Sequence, residues 1–176
     1  VRSHLFIICM ILLSAAPLNV WAAEDVYQSP SEFISQSYDG VTPTSQTLQV
    51  TTELQTKIAK IMGSKYKLTN VEYWPLNGKT LWILEAIGKY EPITAGFLVG
   101  KDATLERVKV LIYRESHGWE VKRKFFTRQF KGAGLKKEKK LDKTINGISG
   151  ATLSVNALKE MSALALLLHK EVRSAP

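Results

Sequence analysis

Apolar residues along this chain follow two periods, and the changes between them mark out alternating helices and strands. Ser29-Pro30-Ser31-Glu32 reads as a helix start, with Phe33, Ile34 and Tyr38 on the apolar side. Residues 39–45, with Gly40 and Pro43, read as a linker. Thr51 or Thr52 is placed to cap a helix through Met62, with Leu54, Ile58 and Ile61 on one face and Gly63 as its stop. Residues 71–74 and 80–84 read as strands about Asn77-Gly78, the strongest short hairpin signal. A second pair, 92–99 and 105–113, flanks Gly100-Lys101-Asp102. Residues 124–130 predict a short helix with Phe126 and Phe130 on one side. Residues 153–172 predict a long amphipathic helix carrying Leu158, Met161, Ala165, Leu168 and Val172. Strands grouped between helices predict an α+β fold, a mainly antiparallel sheet packed with helices, rather than a doubly wound parallel sheet.

The N-terminus breaks this pattern. Arg2, an apolar run from Leu5 to Ala16, Pro17 and Val20-Trp21-Ala22 describe a secretory leader. The run is about a dozen residues, short of the roughly 20 that span a bilayer. Residues 1–22 are therefore expected to be a signal peptide cleaved after Ala22, giving a periplasmic or otherwise extracytoplasmic protein; an uncleaved membrane anchor is the alternative. No cysteine follows the cleavage point, so a lipid anchor is not expected, and the absence of a twin-arginine pair before the run points to export in the unfolded state. The single cysteine, Cys9, leaves with the leader, which excludes a disulfide, a thiolate nucleophile and a cysteine metal ligand from the mature chain. The chain is basic, with 24 Lys and Arg against 16 Asp and Glu. Lys136, Lys137, Lys139, Lys140 and Lys143 cluster in what reads as a solvated loop; a docking surface for an acidic partner or an anionic membrane is the sharper reading, and nucleic acid is not an expected partner of an exported protein.

Little catalytic chemistry is visible. His4 leaves with the leader, and His169 lies near a helix C-terminus, where a cation is mildly favoured. His117 has no second histidine at ligand spacing, so no metal site is expected. Ser149, His117 and Asp142 make a hydrolase triad only on paper, because no Gly-x-Ser-x-Gly elbow is present. Dinucleotide and P-loop glycine patterns are also missing. Glu115-Ser116-His117-Gly118-Trp119 packs charge, imidazole, glycine and indole after a strand, a composition suited to a ligand loop and equally to an ordinary turn with a half-buried Trp119. The most informative run is Ser149-Gly150-Ala151-Thr152, which delivers a hydroxyl to the start of the last helix. A helix start offers free N–H groups and a positive dipole end to a phosphate. Ser and Thr are also ordinary N-caps, and spacing alone favours the cap.

Four motifs in order carry a resemblance over roughly residues 80–172: Gly88-Lys89-Tyr90-Glu91-Pro92-Ile93-Thr94, Glu115-Ser116-His117-Gly118, Phe126-Thr127-Arg128-Gln129-Phe130-Lys131-Gly132 and Ile148-Ser149-Gly150-Ala151-Thr152. Together they resemble the FMN-binding domain of exported flavoproteins and of the covalent-FMN subunits of sodium-pumping and Rnf-type electron-transfer complexes. One position departs: Asn146 stands where the family usually has an aspartate, keeping an oxygen acceptor and losing the charge.

The resemblance implies covalent FMN, esterified through its phosphate to Thr152, with Ser149, Gly150 and Ala151 as the turn a flavin transferase recognises. It places Glu115, Ser116, His117 and Gly118 beside the flavin. Trp119, His117 and Phe126 are then candidates for ring contacts, with core packing the more natural role of Phe126. The implied organisation is an FMN-binding domain over 80–176, preceded by a helix-and-strand extension over 23–79 that packs on it. The implied role is electron relay between a membrane redox protein or cytochrome and an acceptor, with no catalytic residue of its own. An extracytoplasmic flavin-dependent reductase of a small acceptor and a non-redox flavin- or partner-binding module are the alternatives.

Overall fold

A computed structural model describes residues 25–174, so the expected leader and its cleavage after Ala22 lie outside the described residues. The elements run β1 (Asp25–Val26), α1 (Pro30–Ser37), β2 (Gln46–Gln49), α2 (Thr52–Met62), β3 (Asn70–Leu76), β4 (Lys79–Ile87), β5 (Pro92–Val99), β6 (Leu105–Tyr113), α3 (Lys124–Thr127), β7 (Leu135–Lys136), β8 (Lys140–Leu141) and α4 (Thr152–Ser174). Short 3-10 turns at Trp119–Lys122 and Arg128–Phe130 flank α3. The punctuation read in the sequence is physically present. Ser29 Oγ accepts the Glu32 N–H with Pro30 in the first turn of α1, and Thr51 Oγ1 accepts the Leu54 N–H at the start of α2. Asn77 and Gly78 both take positive φ, 51° and 78°, as a tight hairpin matching the strand twist requires.

Six strands form one antiparallel sheet in the order β1-β6-β5-β4-β3-β2, confirming the α+β class. The sheet carries helices on both faces. Trp82, Phe97 and Val110 face α4 and α2, where they meet Leu158, Leu164 and Ile58. Leu81, Leu98 and Leu111 face α1, where they meet Phe33, Ile34 and Tyr38. A Cβ at Gly96 in β5 would come within 3.0 Å of three Phe33 ring atoms, so glycine there opens the seat for that ring. Elements from residues 25–79 share this sheet and this core with the rest: β3 pairs with β4, and Leu54, Ile58 and Ile61 of α2 join the α4 cluster.

Four features differ from the pattern reading. α4 is buried on every side from Met161 to His169, because α2 and the sheet enclose it, so its middle is not amphipathic. His169 is buried rather than a helix-end cation: its Nδ1 lies 2.8 Å from Thr80 Oγ1, which also accepts the Trp82 Nε1–H. The lysine-rich segment read as a loop contains the small β7–β8 hairpin, turned by Lys137 and Glu138 at positive φ, with its lysines in solvent. Finally, β6 has two register shifts against β5. Each inserts one residue, so the α4-facing set changes from Leu105 to Val108 and Val110 and then to Tyr113.

Candidate functional site

Three segments converge on a cleft of about 430 Å³: the β4–β5 loop with Lys89 and Tyr90, the loop after β6 with Glu115, Ser116 and His117, and the start of α4 from Gly150 to Ser154. That volume lies within the range of about 300–1,000 Å³ usual for small-molecule sites.

The start of α4 is open. Gly150 takes φ 81°, a left-handed conformation that turns the chain into the helix. The Ala151 N–H donates to the Ile148 carbonyl at 3.0 Å, and the Ala151 carbonyl accepts from Val155 at 2.9 Å. Ala151 therefore holds the N-cap position and Thr152 the first helical position. Among the described residues no side-chain oxygen caps α4, and the N–H groups of Thr152, Leu153 and Ser154 have no partner. The ordinary cap reading of this turn does not hold among the described residues: α1 and α2 have serine and threonine caps, whereas the first N–H groups of α4 have no such partner and lie beside an exposed threonine hydroxyl. Such an end suits a phosphate oxygen.

The neighbouring loop is locked to this helix start. Tyr113, turned toward α4 by the second bulge, places its hydroxyl 2.9 Å from Ser154 Oγ and donates to the His117 carbonyl at 2.5 Å. Burial is the main cause that raises its pKa, which keeps the hydroxyl neutral and able to donate. Gly118 sits at φ 81°, and a Cβ there would come 2.9 Å from the Tyr113 hydroxyl and 3.2 Å from Ala151 Cβ. Glycine is needed on both counts.

Glu115 faces the other way. Its Oε1 accepts the backbone N–H groups of Lys89, Tyr90 (2.7 Å) and Glu91 (3.2 Å), holding the β4–β5 loop in place. The ammonium of Lys89 lies 4.8 Å from the Tyr90 ring centre, and Tyr90 is 71% exposed at the cleft rim. His117 is exposed, with Nδ1 2.8 Å from Ser116 Oγ.

The structure thus gathers Glu115, Ser116, His117, Gly150, Ala151 and Thr152 around one cleft. Gly118 packs beneath it against Ala151 and Ser154, and Ser149 is exposed just before it. Trp119 does not line it: Arg123 lies 4.6 Å and Lys122 5.4 Å from its ring. Phe126 is fully buried, edge-on to Phe130 with centroids 5.5 Å apart, and belongs to the core. Asp142 accepts the Gly134 N–H at 2.8 Å, and His117 turns to Ser116, so no hydrolase triad forms.

Sequence reasoning missed Lys89, Tyr90, Tyr113, Ser154 and Gln129. Lys89 and Tyr90 lie inside a quoted motif, so their place at the cleft had a signal. Gln129 has one too: its side chain accepts the Asn146 N–H at 2.9 Å and reaches back to the Asn146 carbonyl at 3.5 Å, steadying the approach to the Ser149–Thr152 turn. Tyr113 had none, because uniform alternation through Val108 and Val110 aims it at the opposite face.

The group such a cleft would hold has an anionic end and a larger body. Thr152 and the free N–H groups suit the former, with Lys89 as a nearby cation, and the rim of Tyr90 and His117 suits the latter. Comparison with known proteins agrees. No curated protein matches the chain. Residues 88–167, from the glycine beside Glu115 into the middle of α4, match the model of the FMN-binding domain, so the chain contains an FMN-binding domain over that segment.

Proposed function

We propose that the protein is an exported electron-transfer flavoprotein that carries FMN on Thr152 through a phosphoester. The observation that carries this reading is the start of α4, where the first N–H groups have no partner among the described residues and lie with the Thr152 hydroxyl at the cleft. Joining that hydroxyl to the FMN phosphate forms one O–P bond with net loss of one water, and a flavin transferase is the partner that performs it. FMN, when bound, supplies a centre that takes up two electrons and passes them on singly. The chain's own residues hold its phosphate at the helix start, keep the cleft floor fixed through Tyr113 and Gly118, and offer Lys89, Tyr90 and His117 to the ring.

Covalent attachment fits the leader read at residues 1–22. Outside the cytoplasm free FMN is scarce, and a noncovalent site empties by mass action. The proposed donor and acceptor are a membrane redox protein or cytochrome and a second carrier. Coexpression with a flavin transferase tests the reading. The intact mass is expected to rise by FMN less one water, with a yellow, fluorescent band surviving denaturation, and Thr152→Val is expected to abolish both. An adduct that persists in Thr152→Val refutes the site, and an unmodified wild-type mass refutes covalent attachment.

A further inference from the structure

Beyond the flavin cleft, a groove of about 570 Å³ lies between β6 and α3 on the α1 side of the sheet. Arg107 and Lys109 sit two residues apart on one face of β6. Lys124, Arg128 and Lys131 follow at helical spacing along the opposite wall, and Lys122 enters from the turn that carries Trp119. None of these six cations makes an ion pair among the described residues. The one carboxylate lining the groove, Glu106, is engaged by Lys79 at 2.7 Å. Six like charges converging without counter-charges repel one another, and an anionic occupant relieves that repulsion.

The floor narrows the choice of anion. Phe33 contributes apolar surface. Gln28 lines the groove, donates to Gln36 Oε1 at 2.8 Å and leaves its own buried Oε1 without a donor. A fully ionised phosphoester or polyphosphate chain offers mostly acceptors to such an atom. A polypeptide brings backbone N–H donors together with its carboxylates and apolar side chains.

We propose that this groove docks an acidic, extended segment of a protein partner. The docking face is separate from Thr152, so a failure here and a failure of flavinylation are different results. On the electron-relay reading, the 3-10 turn of Trp119–Lys122 joins this face directly to the cleft loop.

The test is binding of a fluorescein-labelled peptide rich in Glu and Leu to the full mature chain, read by anisotropy. Pyrophosphate, anionic phospholipid vesicles and single-stranded DNA serve as parallel probes. The variant Lys124→Glu/Arg128→Glu/Lys131→Glu is compared with Lys136→Glu/Lys137→Glu/Lys139→Glu, which changes net charge equally on exposed β7–β8 positions. Thermal melts establish that both fold. The groove variant is expected to lose about tenfold or more in peptide affinity and the hairpin variant about twofold or less. Equal losses in the two variants overturn the proposal, as does absence of peptide binding to the wild type. A groove-specific loss seen with DNA, vesicles or pyrophosphate but not with the peptide also overturns it.

Discussion

One oxygen of Glu115 collects three backbone amides from the β4–β5 loop, and this gives the residue a role the motif alone did not disclose. The carboxylate shapes the wall carrying Lys89 and Tyr90. Gly88 permits the approach, since a Cβ there would lie 2.7 Å from the same oxygen. Hydrogen bonds to a charged acceptor are stronger than neutral ones, although water compensates part of the loss at a half-exposed site. Glu115→Ala is therefore expected to cost about 1–2 kcal/mol in urea unfolding. It should also speed hydrogen exchange at the Lys89 and Tyr90 amides, while a variant with unchanged exchange refutes the clamp. The same residue shows what a short motif conveys. Glu115, Ser116 and His117 were legible as cleft residues because their types and order mark a ligand loop. The partner of each was not, because Glu115 bonds to amides more than twenty positions away.

At the scale of elements, local chemistry made most of the fold readable. Caps at Ser29 and Thr51, the Asn77-Gly78 turn and the largely apolar run of β5, buried on both faces, each state their own geometry. The unread elements lack such cues. β1 and β2 are short edge strands, of two and four residues, fixed by the partners they pair with. The bulges of β6 depend on register with β5, which no single strand encodes. Packing between elements supplies its own test at Gly96. Gly96→Ala is expected to cost about 2 kcal/mol by driving a methyl into the Phe33 ring. In a Phe33→Leu background the same change should cost much less, measured as a double-mutant cycle in urea unfolding. Additive losses would mean that the ring is not what the glycine accommodates.

At the scale of the whole molecule, His169 ties global stability to pH. Burial first, and the charge of Arg173 second, lower its pKa, with Asp102 opposing weakly. The unfolded chain takes up this proton near pH 6.5, its usual value of about 6.5, before the folded chain does. Stability from the neutral, Thr80-bonded imidazole is thus complete above that pH and declines as pH falls toward the lowered folded-state value. Urea unfolding at pH 7.5 and pH 5.5 is expected to show this loss in the wild type and a flatter dependence in His169→Gln; equal slopes would exclude the histidine as its source. The molecule's other global property comes from Tyr113, whose hydroxyl joins the end of β6, the His117 carbonyl and Ser154 of α4. A strand end and a helix start fixed to one another leave the cleft floor little room to relax when the charge above it changes. On the electron-relay function proposed above, this means a small reorganisation energy, and so exchange that is quick in both directions.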